Sequence, residues 1–235
     1  MASAANSPNH LLASLSSADF ESLRPHLKAF DLVQEDVLFR TGDPVHRVFF
    51  PHSGIISLVV DLAGGQTIEA AMIGRDSIVG ASSALDGQVS LNKGIVQVSG
   101  HGSVLDVERF RQIAEGSPAF RTTLIRHEQI LFAQAQQSVA CNASHTVEAR
   151  LARWLLRTRD LTGDDLLPLT QEFLAQMLGV RRTSVTIVAN TLAQAGLISY
   201  RRGRIQVLNL EGLREAACEC YGTVKMHYDR LLNSH

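Results

Sequence analysis

Residues 171–190 read QEFLAQMLGVRRTSVTIVAN, and this stretch decides the architecture of the C-terminal part of the chain. Counted from Gln171, apolar residues fall at the fourth, eighth, tenth, fifteenth and eighteenth places (Leu174, Leu178, Val180, Val185, Val188), with Ala175 fifth and Gly179 ninth. The spacing predicts two helices around a tight turn. Phe173, Leu174, Met177 and Leu178 bury one side of the first helix, and Val185 and Val188 face inward from the second. Ala175 is small where the helices pass closest, and Gly179 accepts the positive φ of a helix-ending turn. This is the packing scheme of the helix-turn-helix that reads DNA. A purely structural helical hairpin would share it. That alternative leaves unexplained why the outward positions of the second helix are Arg181, Arg182, Thr183, Thr186 and Asn190, all donors suited to phosphates and base edges. Ser184 is expected on a phosphate. Thr170 and Gln171 open the first helix, Thr170 as its N-cap, also close to a phosphate.

Working outward, GLISYRRGRIQV (196–207) reads as strand, glycine-containing turn, strand. Arg201, Arg202 and Arg204 stand at its tip. A hairpin directly after a recognition helix makes a wing, and its arginines would grip the DNA backbone. From Phe173 to Leu210 there are five arginines and no acid, in a chain with 23 acids. The net charge of −1 hides this asymmetry. Residues 1–145 carry 10 Lys and Arg against 14 Asp and Glu, whereas residues 146–235 carry 12 against 9. A local basic surface suits a polyanion. Leu210 to Leu232 reads as one more helical stretch.

Upstream, Pro118 opens a long helix that reaches about Ala143. Two rows recur in it at seven-residue spacing: Leu124, Leu131, Ser138 and Ile125, Phe132, Val139. One row would cover the chain's own β domain and the other would meet a twin helix, or both would form one broad core-facing stripe on a monomer. A second helix follows, from about His145 to Leu161. Before Pro118, from Phe30 to about Val107, short β-branched and aromatic runs alternate with Gly, Pro, Asp and Asn, the texture of an all-β sandwich or barrel. Ala63-Gly64-Gly65-Gln66 is read as a hairpin turn. A short helix near Gly116 follows the strands, and two short helices between Leu11 and Leu27 precede them. Residues 1–9 read as a disordered tail.

The expected fold is therefore α+β with two domains. An N-terminal antiparallel β-roll (a double-stranded β-helix) with flanking helices spans residues 1–117. A long dimerisation helix spans 118–144, and a winged helix-turn-helix domain spans 145–235. With 45% hydrophobic and 19% charged residues, the 235-residue chain has ample material for a core. No apolar run approaches the ~20 residues of a membrane span, and Met1–His10 lack the pattern of a signal peptide. No membrane partner is expected, and the expected location is cytoplasmic. Three cysteines make no disulfide framework, in keeping with a reducing compartment.

The order of these parts resembles the Crp–Fnr superfamily of bacterial transcription regulators over nearly the whole chain. The most specific pieces are Phe50-Pro51-His52-Ser53-Gly54, the run from Met72 through Gly74-Arg75-Asp76 to Gly80, and the helix-turn-helix with its wing. The resemblance implies a homodimer joined along the long helix, a palindromic double-stranded DNA operator, and contact with RNA polymerase. It also exposes departures. Cyclic-nucleotide-binding members carry a Gly-Glu pair, whose Glu takes the ribose hydroxyl, and further on an Arg that takes the cyclic phosphate. Here the Glu position is Ala81, after Gly80, and the stretch from Val89 to Lys93 holds no arginine. Lys93 offers a point charge rather than a fork. Met72, Gly80, Ala81, Ser82 and Lys93 are the candidates for lining the β-roll pocket, whose effector the sequence leaves open. A truly cyclic-nucleotide-responsive regulator is the alternative reading. Iron–sulfur members need an N-terminal cysteine cluster, and no cysteine precedes Cys141. In the recognition helix Arg182 matches the family's base-contacting arginine. Thr183 stands where Glu is frequent, and Ile187 where Arg is common. Ile187 would meet a thymine methyl or pack.

No cofactor and no metal site are expected, and the chain is not read as an enzyme. Cys218 and Cys220 are taken to lie on one helix. A redox or metal-sensing role for these two and Cys141 is the alternative; side chains two apart on a helix point about 200° from each other, a poor geometry for a local disulfide, and the three cysteines are read as structural. His46 and His52 in the β-roll raise the rival of a cupin-like metal-dependent enzyme. That fold needs an H-x-H pair, which this sequence lacks.

Overall fold

The computed structural model describes residues 4–86 and 89–232. It begins with a 3-10 turn at Ala4–Asn6, then helices α1 (His10–Ala13) and α2 (Ser17–Leu23). Strands β1 (Lys28–Leu32), β2 (Val37–Phe39), β3 (Arg47–Pro51), β4 (Ile55–Asp61) and β5 (Thr67–Ile73) follow, then the short helix α3 (Ala81–Asp86). Strands β6 (Lys93–Val98) and β7 (Gly100–Asp106) complete the roll. They lead into α4 (Val107–Gly116) and the 27-residue helix α5 (Pro118–Ser144). The remainder is α6 (Val147–Thr162), β8 (Leu166–Leu167), α7 (Gln171–Leu178), α8 (Arg182–Gln194), β9 (Ile198–Arg201), β10 (Arg204–Val207), α9 (Leu210–Ala216) and α10 (Cys220–Leu232). The two-domain α+β architecture stands as expected. No helix among the described residues is long and apolar enough to cross a membrane.

The roll is built from two antiparallel sheets with strand orders β1-β7-β3 and β2-β6-β4-β5. Strand β4 is buried from Ile55 through Val59, on both faces, as suits a strand inside a roll. The hairpin turn between β4 and β5 forms where the two glycines place it. Leu62 N–H donates to Gln66 O and Gly65 N–H to Leu62 O, with Gly65 at φ +83°. The Phe50–Gly54 segment earns its composition by close approach. A Cβ on Gly100 would sit 2.5 Å from the Ser53 backbone, and one on Gly102 the same distance from Phe50 O. Beside it Ser103 Oγ and His52 Nε2 are 3.1 Å apart, and burial, then the neighbouring His101, lowers the His52 pKa.

The chain divides into two compact units. The described parts of residues 1–58, 72–133 and 227–235 form one, and residues 59–71 and 134–226 form the other. In the first, the buried rings of Phe50, Phe110 and Phe120 pack in sequence, tilted and then edge-to-face, with centroids 6.5 and 5.6 Å apart. In the second, Trp154 is buried on α6, its ring 6.4 Å from Phe173, and its Nε1–H donates to Glu69 Oε1 at 3.1 Å. Tyr221 on α10 donates its hydroxyl to Asp160 Oδ2 at 2.8 Å. Burial and that bond push the phenol up to about 12.

Two expectations need correction. Residues 4–9 are not a free tail, while residues 1–3 lie outside the described residues. Asn9 is fully buried and caps α1 through Leu12 N–H, and its amide donates to Pro51 O and Ser77 O at 2.9 Å each. A small polar sequence hid a side chain with three partners. Nor is 210–232 one helix. The backbone turns extended at Ala217 (ψ 154°), so Cys218 and Glu219 lie between α9 and α10.

Candidate nucleic-acid interface

Helix α7 starts where Thr170 Oγ1 accepts the Phe173 N–H at 3.1 Å. It ends at Gly179, at φ +63°, and α8 then begins at Arg182. Leu174, Ala175, Met177 and Leu178 from α7 are buried with Val185, Ala189 and Leu192 from α8. Val188, expected inward, is half-buried. Apolar spacing thus fixes which side of α8 faces outward. Arg181, Arg182, Thr183 and Asn190 are exposed, and so is Ile187 at 66%. Of the two expectations for Ile187, its exposure among the described residues speaks against packing in the core. Ser184 is half-buried. Gln171 and Thr186 are half-buried too and engage each other, the Thr186 hydroxyl donating to Gln171 Oε1 at 2.7 Å. They brace the two helices together.

The wing is a three-stranded sheet of order β8-β10-β9. Arg201 pairs with Arg204 across the end of the ladder, so the turn is only Arg202-Gly203. Both have positive φ, +48° and +74°, the signature of a tight hairpin turn whose twist matches its strands. Arg201, Arg202 and Arg204 are all exposed. A Cβ on Gly203 would meet Thr170 Cγ2 at 3.3 Å, so the wing tip lies beside the N-terminus of α7. Strand β8 has two residues, too short to leave a period in the sequence. Glu172 Oε2 is 3.8 Å from Arg182 Nε, both well exposed, a loose pair that solvent screens.

In the β-roll, a cavity of about 160 Å³ is lined by Gly80, Ser82, Ser90 and Asn92, among others, with Glu128 and Leu131 contributed by α5. Of the five pocket candidates, Gly80 and Ser82 line it. Met72 and Ala81 are buried away from it, and Lys93 stands at the start of β6 without lining it. Along α5, Leu124 is buried and Leu131 is half-buried. Ile125, Phe132 and Val139 are exposed at 54, 65 and 71%. The two rows face differently, as a two-sided helix requires.

Cys141, His145, Cys218 and Cys220 converge, although sequence reasoning kept the three cysteines apart and did not single out His145. The C-x-C argument assumed a continuous helix, and the break at Ala217 removes that premise. Burial raises the thiol pKa of Cys141, and that of Cys218 to about 12. His46 and His52 join no such group among the described residues.

Residues 30–117 match the cyclic nucleotide-binding domain family, and residues 149–216 match the Crp-like helix-turn-helix domain. The chain is 24% identical over 198 residues to a global nitrogen regulator of Synechocystis sp., covering 80% of this chain and 87% of that one. A global nitrogen regulator of Nostoc sp. is 23% identical, covering 78% and 85%. The fold is similar to that of FixK2 from Bradyrhizobium japonicum, with TM-score 0.70 at 15% identity over 82% of this chain and 98% of that one. It is also similar to the c-di-GMP responsive global regulator CLP of Xanthomonas campestris, with TM-score 0.66 at 16% identity over 82% and 99%. With a β-roll of the cyclic nucleotide-binding type followed by a long helix and a Crp-like winged helix-turn-helix, the chain has the make-up of a Crp/Fnr-type DNA-binding transcription regulator.

Proposed function

We propose that the protein acts as a homodimer on palindromic double-stranded DNA in the cytoplasm. Helix α8 enters the major groove, and the Arg202-Gly203 turn rests on the flanking phosphates. One observation carries this reading. The exposed side of α8 (Arg181, Arg182, Thr183, Ile187, Asn190) and the wing arginines form donor-rich ground in a 38-residue stretch without an acid. Arg182 reads a base, and Ile187 faces a thymine methyl. Thr170, Ser184, Arg181, Arg201, Arg202 and Arg204 hold phosphates, with Gln171 and Thr186 bracing the pair of helices between them. Ile125, Phe132 and Val139 meet the same row on a second copy, so two recognition helices reach half-sites about one helical turn apart. RNA polymerase is the further partner expected of such a regulator.

Selection of bound sequences from random DNA by the purified full-length chain tests this reading. The expected outcome is a two-fold symmetric consensus with half-site centres about 34–36 Å apart. Enrichment of an asymmetric single site, or of nothing, overturns it.

A further inference from the structure

Cys141 near the end of α5, His145 just past it, Cys218 between α9 and α10, and Cys220 at the start of α10 hold their ligand atoms within 4.8 Å of one another. We propose that these four side chains form a closed Cys3His site for a single divalent ion of the zinc type. The proposal does not depend on the DNA reading.

The distances are those of atoms sharing one ion. A tetrahedral zinc, with Zn–S about 2.3 Å and Zn–N about 2.0 Å, separates its ligand atoms by about 3.5–3.8 Å. Cys141 Sγ and Cys218 Sγ are 3.5 Å apart, and Cys220 Sγ and His145 Nδ1 are 3.6 Å apart. A disulfide would draw two sulfurs to about 2.05 Å. The ligands of an iron–sulfur cluster stand around several irons and sulfides and are spread more widely, so a mononuclear site fits this spacing better. Three sulfurs and an imidazole select zinc-like ions over calcium or magnesium, which prefer oxygen. With four protein ligands no position remains for a reacting water, the pattern of a structural ion.

The surroundings match a metal centre too. His145 Nε2 lies 3.2 Å from Glu219 Oε1, while its Nδ1 faces Cys220. A carboxylate behind a ligating histidine fixes the ring and strengthens it as a ligand. Gln137 Nε2–H donates to Cys220 Sγ at 3.0 Å. Three thiolates and a divalent ion leave one net negative charge. Arg150 and Arg153 both act electrostatically on Cys141, and the Nε of each is buried without a hydrogen-bond partner. Two guanidinium groups beside a neutral thiol cluster are poorly compensated, whereas beside a thiolate-bound ion they have a counter-charge. The ion would join the end of α5 to the segment after the wing, closing the loop that contains the helix-turn-helix.

Metal content and cobalt substitution of the reduced, full-length protein test the site. One zinc per chain is expected. Cobalt added to the chelator-stripped chain should saturate at one equivalent, with the d–d bands of a tetrahedral ion and thiolate-to-cobalt charge transfer, and zinc should displace it. Cys218→Ser and Cys220→Ser should each lose charge-transfer intensity. Glu219→Gln, which leaves all four ligands in place, should weaken metal affinity about tenfold or more. If the serine variants do not fold, His145→Cys is the control. It should keep the one-to-one stoichiometry and gain thiolate charge transfer. A metal-free chain whose cobalt spectrum lacks tetrahedral or thiolate bands overturns the proposal, as does a His145→Cys variant with the parent's spectrum.

Discussion

Arg182 and Arg202 carry the same charge and both stand exposed, yet their settings assign them different work. Arg182 opens α8, at the end of the helix proposed to reach base edges, and Arg202 sits on a turn of two residues. A bidentate arginine–guanine pair is worth about 1–3 kcal/mol of discrimination. Arg182→Ala should therefore relax base preference at one position per half-site. Arg202→Ala should weaken all sequences alike and reduce the salt slope by about one. Binding titrations on operator and random DNA at several salt concentrations separate the two, and equal loss on both DNAs for Arg182→Ala would place that residue on a phosphate. These side chains were legible in the sequence because apolar spacing dictates which side of α8 is buried, and the remaining side is then known. Asn9 and Thr186 were not legible. Their partners, Pro51 and Ser77 for one and Gln171 for the other, are set by tertiary approach, which no local period encodes.

Helix α5 shows the same rule among elements. Seven-residue spacing revealed two rows but not which of them was free. Leu131 belongs to the cavity lining, while Phe132 beside it is 65% exposed. Phe132→Glu should shift the protein toward monomer in sedimentation at micromolar concentration, because it places a charge in the apolar seam of the proposed pair. Its β-roll should keep its thermal midpoint. Leu131→Glu should instead lower that midpoint through its own chain's cavity. A Phe132→Glu protein that stays dimeric would remove this row from the interface. The break between α9 and α10 shows where element reading fails. Neither Gly nor Pro marks it, and Cys218 there turns toward Cys141 on a different helix.

For the whole molecule, the order of parts was readable because each part has its own period: short alternating runs, then long helical rows, then the helix-turn-helix spacing. The content of the β-roll cavity was not, because a cavity is defined by what fills it. At about 160 Å³ it falls below the ~300–1,000 Å³ of sites that enclose drug-sized ligands. Ala81 accepts no hydrogen bond from a ribose, and unpaired ligand groups cost roughly 1–3 kcal/mol each. Cyclic AMP and cyclic GMP should accordingly bind at least about a hundredfold more weakly than a fitted effector, at about 1.4 kcal/mol per tenfold. Calorimetric titration that finds a low-micromolar constant, with a matching rise in operator affinity, would refute this. The contact between Cys141 and Cys218 spans 77 residues, and the second cysteine follows the wing. On the ribosome, the helix-turn-helix emerges before the last two cysteines of the proposed metal site. A nascent chain stopped just after Val207 would already hold the five exposed arginines of α8 and the wing but neither Cys218 nor Cys220 of the proposed metal site.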